Sequence, residues 1–314
     1  MKTSRVGLGL LLLAFLVASV ALIGCPPDQT VEDDVPEPPM DDMAMEEPTG
    51  EGGTIDIIGS TTNLPIATAW AEAYHEKNPN VEINVSGGGS GNGIKAILDG
   101  TADIGNASRG IKDSEVELAE QNDVDPVEHV IAYDGLTPVA HPDVPVESLS
   151  VEQLSDIYSG EVTNWSDVGV TGVDNDNIVV VSRDSASGTY ESWKELVIQM
   201  RGADEDRDYS PEALKKNSNR DVRETVAGTA GSIGYIGLGY VDDSIKVIPV
   251  VPLEGGDAVP ASVENVQNGS YPVARSLYMY TNGEPTGIVA DFLDWGKGEE
   301  GQALVADEGF VPID

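Results

Sequence analysis

The residue types best suited to chemistry fall in one run, Val179-Val180-Val181-Ser182-Arg183-Asp184-Ser185-Ala186-Ser187-Gly188-Thr189. A β-branched stretch stops at an arginine, and Ser-Gly-Thr follows just before a helical pattern. These are the parts of an oxyanion cradle. A guanidinium fork matches a tetrahedral oxyanion, and free N–H groups and hydroxyls at a helix start add donors. The same residues also describe an ordinary N-cap loop with a surface arginine. The rest of the chain has to decide between the two.

Two more junctions of this kind precede it. Thr54-Ile55-Asp56-Ile57-Ile58 reads as a strand that stops at Gly59-Ser60-Thr61-Thr62, and Ala67, Trp70, Ala71 and Tyr74 then follow helical spacing. Val81-Glu82-Ile83-Asn84-Val85 alternates as a second strand. Gly87-Gly88-Gly89-Ser90-Gly91-Asn92-Gly93 then opens a helix carrying Ile94, Ile97 and Leu98. No Gly-Lys-Ser/Thr closes that loop, so it is not a Walker motif, and its glycine spacing is not the dinucleotide fingerprint. No Gly-x-Ser-x-Gly can be laid over Ser90 either. Two readings remain: a tight strand-to-helix turn, or small residues that let a ligand approach the backbone.

Asp103-Ile104-Gly105-Asn106-Ala107-Ser108-Arg109 is a short strand ending in another serine-arginine pair. Val127 to Ala140 runs long and apolar around Asp134-Gly135. A lone acid inside such a run is costly to bury without a partner. Arg109 and a ligand hydroxyl are the two candidate partners, and an exposed strand end is the alternative. Catalysis has little support: His75, His129 and His141 share no metal-ligand spacing, and no serine stands beside an identifiable base. Neither catalytic residues nor a metal or other cofactor is expected.

The elements that must hold these residues alternate. Ser150-Val151-Glu152-Gln153 is a capping-box signature ahead of Leu154, Ile157 and Tyr158. The helix after Thr189 places Tyr190, Trp193, Val197 and Met200 on one buried face, whereas Arg201 to Asn219 carries little signal. Tyr271 to Tyr280 reads as a long strand, and two helices, Gly287 to Trp295 and Glu299 to Asp307, close the chain. Strands alternating with helices give an α/β fold.

Lys2 and Arg5 precede an apolar run from Val6 to Ile23 that ends at Gly24-Cys25, the build of a secretory signal over residues 1–24. Cys25 is the single cysteine, so no internal disulfide can form. Residues 25–52 are acidic, proline-rich and without apolar period, the composition of a disordered tether. A formal charge of −38, from 55 acidic and 17 basic residues, argues against nucleic acid or an anionic membrane surface as partner. Any anion site must therefore be locally basic within a repelling field, which makes each arginine informative.

Seven motifs in register resemble the phosphate-binding lipoproteins of bacterial phosphate ABC importers. They are Gly59-Ser60-Thr61-Thr62 with Trp70 and Tyr74, Gly88-Gly89-Ser90-Gly91, Asp103-Ile104-Gly105 with Ser108-Arg109, Ser159-Gly160 with Asn164-Trp165, Arg183 with Ser187-Gly188-Thr189, Ile233-Gly234-Tyr235, and Tyr271-Pro272 with Gly309-Phe310-Val311-Pro312. The resemblance covers essentially all of 54–314.

It implies a type II periplasmic-binding-protein fold. Two α/β lobes, 53–134 with 275–314 and 135–274, would be joined by two crossover segments, with the ligand cleft between them. Phosphate would be held by Ser60, Thr61, Thr62, Ser90, Ser108, Arg109, Asp134, Arg183, Ser187, Gly188 and Thr189. Gly24-Cys25 resembles a lipobox, which implies a lipid on Cys25; the family resemblance implies an extracytoplasmic location and an importer permease as partner, with the chain itself a monomer.

Two departures from the family pattern stand out. Arg109 occupies the place of an aspartate that accepts the ligand's proton, and Ser185 that of an aspartate two residues after the arginine, with Asp184 one place early. Asp134 is then the candidate proton acceptor. Other tetrahedral oxyanions (molybdate, tungstate, sulfate) are the alternative ligands, and a secreted phosphatase or phosphate sensor is the alternative from another class.

Overall fold

The computed structural model describes residues 52–313; the signal at 1–24, Cys25 and all of the tether but Gly52 lie outside the described residues. The first half builds from parallel units. β1 (Gly53–Gly59) leads through α1 (Leu64–Lys77) to β2 (Val81–Ser86), and β2 through α2 (Ser90–Leu98) to β3 (Ile104–Ala107). β1 pairs in parallel with both β2 and β3, which requires helical crossovers. Alternation puts Ile55 and Ile57 in the core, and helical spacing buries Ala67, Trp70, Ala71 and Tyr74 against them. A Cβ at Gly93 would stand 2.5 Å from Asn106 O and 2.7 Å from Ile58 O. Backbone therefore packs on backbone there, and Ser90 is held over the ends of β1 and β3.

After α3 (Asp113–Gln121) comes β4 (Pro126–Ala140), a strand of 15 residues. The middle of the chain supplies β5 (Leu149–Ser150), α4 (Val151–Ser159), β6 (Val179–Arg183), α5 (Gly188–Trp193), β7 (Leu214–Lys216), α6 (Asn219–Ala227), β8 (Ser232–Gly237), β9 (Lys246–Val247), β10 (Val250–Val251) and α7 (Val263–Gln267). β11 (Ala274–Asn282), α8 (Gly287–Lys297) and α9 (Glu299–Asp307) complete it. The nine-stranded sheet runs β2-β1-β3-β11-β4-β8-β6-β7, with β9 also on β4.

β4 changes partner partway along. Pro126 to Gly135 pair with β11, and Leu136 to Ala140 pair with β8. The switch falls at Asp134-Gly135-Leu136, and β11 enters opposite it, with Arg275 the register partner of Asp134. On one side the core holds Ile55, Ile57, Trp70, Leu277, Phe292 and Phe310; on the other it holds Leu136, Leu154, Tyr158, Trp165, Trp193 and Tyr235. The last strand and helices thus return to the core of the first half.

The capping box forms as read, with Gln153 N–H donating to Ser150 Oγ at 3.2 Å and Ser150 N–H to Gln153 Oε1 at 2.9 Å. The helix after Thr189 differs from expectation. A π-helical turn over Lys194–Ile198 breaks the 3.6-residue period, so Trp193 and Val197 are buried but Tyr190 and Met200 only half so.

Candidate functional site

The three junctions meet. Thr61 and Thr62 lie just ahead of α1, Ser90 opens α2, Ser108 follows β3, and Arg183 ends β6 ahead of Ser187-Gly188-Thr189 at the start of α5. Thr62 Oγ1 and Thr189 Oγ1 are 2.8 Å apart although 127 residues separate them. Gly91 N–H donates to Ala186 O at 3.1 Å, and Ser192 Oγ donates to Ser108 O at 3.3 Å. The first and middle segments therefore close on each other around this point.

Arg183 is the centre of the site and is 1% exposed. Its Nη2 donates to Thr61 Oγ1 at 2.9 Å and Asn217 O at 2.9 Å, and its Nε to Lys216 O at 3.3 Å. Every one of these partners is uncharged, and Nη1 is buried without a hydrogen-bond partner. Burial pushes the guanidinium below its ordinary pKa, with Tyr235 and Asp184 pulling it back. Among the described residues the other arginines bear a different pattern. Arg109, Arg207, Arg220, Arg223 and Arg275 each pair with a carboxylate, and Arg201 is exposed. Arg183 alone is both buried and without an anion, a costly state that a bound oxyanion would relieve.

An aromatic platform sets the arginine's backbone. Tyr235 Oη accepts from Arg183 N–H at 3.2 Å, lies 3.0 Å from Ser182 Oγ and bonds Tyr209 Oη at 2.7 Å. Its ring stacks on Trp193 with centroids 4.5 Å apart and planes 4° from parallel. Ser187 caps α5, its Oγ accepting from Tyr190 N–H at 3.3 Å, which makes it a positioning group for Gly188 and Thr189. Ser60 holds the turn ahead of α1, its Oγ accepting from the N–H groups of Thr62 and Asn63 at 3.1 and 3.4 Å. Ser90 Oγ accepts from Ser108 N–H at 2.9 Å and lies 3.2 Å from Ser108 Oγ.

Gly188 is required by contact rather than by backbone angle. A Cβ there would stand 2.3 Å from Ser90 Oγ and 2.6 Å from Ser108 Oγ. Gly188→Ala is therefore expected to hold the two halves apart and to weaken anion binding by about 1–3 kcal/mol, the usual cost of overpacking. Calorimetric titration with phosphate checks this; unchanged affinity would mean that this contact plays no part in closure.

Sequence reasoning offered Arg109 as a partner for Asp134, and the structure corrects this. Arg109 forks onto Glu115, Nη1 to Oε2 at 2.8 Å and Nη2 to Oε1 at 2.7 Å. Burial raises the Glu115 carboxyl, but the Arg109 bonds, the Lys112 N–H and the two cations outweigh it and leave its pKa below the ordinary value. None of Arg109's hydrogen bonds reaches the hydroxyl group of Thr61, Thr62 or Thr189. Asp134, fully buried, belongs instead to Arg275, whose Nε and Nη2 donate to Oδ2 at 3.1 and 2.8 Å, while Leu238 N–H donates to Oδ1 at 2.9 Å. Burial pushes the Asp134 carboxyl up, and Arg275 and Leu238 pull against it.

Arg275 and Asn219 were not anticipated from the sequence. Arg275 Nη2 also reaches Thr189 Oγ1 at 3.0 Å and Thr62 Oγ1 at 3.4 Å, and Nη1 donates to Ser108 O at 3.0 Å. Asn219 Nδ2 donates to Thr62 Oγ1 at 3.0 Å. A signal for Arg275 existed: it is a lone cation in an apolar strand, just as Asp134 is a lone acid in one. Asn219 had none, since its stretch is uniformly polar.

Known proteins share the sequence and the fold of this chain. The profile of the PBP superfamily domain matches residues 44–299. The chain is 32% identical over 266 residues to the phosphate-binding protein PstS of Bacillus subtilis (strain 168), covering 83% of this chain and 81% of that protein. It is also 32% identical to the phosphate-binding protein PstS of Pseudomonas aeruginosa PAO1, covering 84% of each. Among solved structures, a substrate-binding protein from Clostridium perfringens with bound phosphate superposes with a TM-score of 0.72 at 34% identity, covering 83% of this chain and all of the other. An ABC-type phosphate transport receptor from Vibrio cholerae gives a TM-score of 0.64 at 30% identity, covering 82% and 100%.

Proposed function

We infer function from one premise: the chain belongs to the phosphate-binding proteins of the PBP superfamily. It is an extracytoplasmic solute-binding protein of the two-lobed type II fold, which captures inorganic phosphate in the interlobe cleft and delivers it to an ABC importer. The observation that carries the phosphate reading to these residues is Arg183, buried, bonded only to neutral groups and with Nη1 unpartnered. Thr61 is bonded to Arg183, and Ser90, Ser108, Gly188 and Thr189 bring hydroxyls and helix-start N–H groups to the same meeting of junctions, small donors suited to oxyanion oxygens, with Thr62 bonded to Thr189 behind them. Ser60 and Ser187 hold the turns that present them. Asp134 acts on the ligand through Arg275 rather than by direct contact, and Arg109, next to Ser108 in the chain, has its charge met by Glu115.

The lobes are 53–134 with 275–314 and 135–274, a division supported by the two cores and by the change of partner along β4. The crossovers run through Asp134-Gly135 and through Arg275, where opening and closing would hinge. The chain binds without turnover and works as a monomer. A lipid on Cys25 and the acidic tether of 25–52 keep it at the outer face of the membrane; Gly24-Cys25 and the composition that follows support this.

A donor-rich pocket also suits other tetrahedral oxyanions, so the test is comparative. Titrating the purified chain with phosphate, sulfate and molybdate is expected to give tight binding of phosphate and much weaker binding of the other two. Preference for molybdate or sulfate would replace phosphate as the ligand, and hydrolysis of a phosphate ester would replace transport by catalysis.

A further inference from the structure

The two threonines that touch across the cleft are also bonded by groups that can only donate. Arg275 has no acceptor, and the Asn219 atom facing Thr62 is its Nδ2. Asn219 is held in that orientation because its Oδ1 accepts from Gly237 N–H at 3.3 Å. Arg275 is held by Asp134, which takes its Nε and one Nη2 hydrogen. The remaining Nη2 hydrogen is shared by Thr189 Oγ1 at 3.0 Å and Thr62 Oγ1 at 3.4 Å.

Each hydroxyl has one hydrogen and two lone pairs. On Thr62 the lone pairs take Asn219 and Arg275, so its hydrogen goes to Thr189, 2.8 Å away. On Thr189 the lone pairs then take Arg275 and Thr62, and its own hydrogen is left over. Among the described residues, Thr62 and Arg275 are the only groups bonded to Thr189 Oγ1.

We propose that Arg275 and Asn219 are positioning residues that lock the polarity of this pair, so that Thr189 presents an O–H and no lone pair to the anion. The inference rests on the phosphate reading of the cleft. Its chemical consequence is that the ligand atom at Thr189 must be an unprotonated acceptor oxygen; a P–OH has nowhere to donate there and has to turn elsewhere. Arg275 thereby contributes to binding through a hydroxyl as well as through its charge.

A double-mutant cycle read by phosphate calorimetry tests this. Thr189→Val, which keeps shape and loses the donor, is expected to weaken binding about tenfold or more, the effect of one hydrogen bond to an anion, and Thr189→Ser to stay within about threefold of the parent. Arg275→Lys keeps the charge but loses the planar fork that reaches Asp134, Ser108 O and the threonine pair at once, and is expected to weaken binding in the parent and to add little in the Thr189→Val background. Fully independent effects in the double variant would overturn the polarity lock. So would a Thr189→Val chain that binds phosphate within about twofold of the parent, a result available even if the Arg275 variant does not fold. Failure of the parent chain to bind phosphate at all is a separate result and would strike the functional reading instead.

Discussion

Arg183→Ala is expected to weaken phosphate binding by about 2–5 kcal/mol, the cost of truncating one member of a desolvated charge pair. Three features of its surroundings place the effect at the upper end. The guanidinium is 1% exposed, so water cannot replace the lost interaction. No carboxylate competes for it, in contrast to Arg275. Its Nη1 is free of protein partners, so two hydrogens lie ready for an anion. Arg183→Lys separates charge from geometry: a lysine keeps one positive charge but lacks the planar fork, and should recover only part of the affinity. Because Arg183 also ties Thr61 to the loop at Lys216 and Asn217, thermal unfolding without phosphate belongs beside the calorimetry. Wild-type affinity in a folded Arg183→Ala protein would defeat the cradle.

Asp134→Asn is expected to destabilise the fold by about 3–5 kcal/mol, because it strands the Arg275 charge in the interior. The pair is the least exposed ion pair in the described residues, at 5% for Arg275 and 0% for Asp134, and it joins register partners on β4 and β11. Replacing the carboxylate by an amide puts a neutral group where Nε and Nη2 now converge on Oδ2. Urea unfolding should show a lower midpoint with an unchanged slope. A double replacement by apolar residues of matching size should recover much of the loss, since burying two charges is itself costly. A midpoint unchanged by Asp134→Asn would show that the ion pair contributes little where β4 and β11 meet.

The fold was legible to the degree that local pattern determines it. β1, α1, α2 and α4 follow from alternation, helical spacing and a capping box, each a short-range signal that tertiary packing reinforces. The helix after Thr189 shows the limit, for a π-turn after Trp193 shifts the face by a residue and no local propensity announces it. The site divides in the same way. Arg183 and the hydroxyls stand out because an arginine, glycines and small polar residues at strand-to-helix junctions form a recognisable combination. Asp134 stood out as a lone acid, yet its partner was misjudged, since pairing depends on which strands lie side by side.

What the sequence by itself determined is the alternating α/β architecture, the three junctions and their donors, and the charge that makes a basic pocket meaningful. These are properties of neighbouring residues, set by periodicity, glycine and charge. Tertiary structure alone decided that Arg275 holds Asp134, that Arg109 turns to Glu115, and that Asn219 reaches Thr62 across 157 residues. The physical reason lies in the order of the sheet: β11 inserts between β3 and β4, bringing Arg275 against residues far behind it in the chain, and hydrogen bonds and ion pairs form only where that juxtaposition places them.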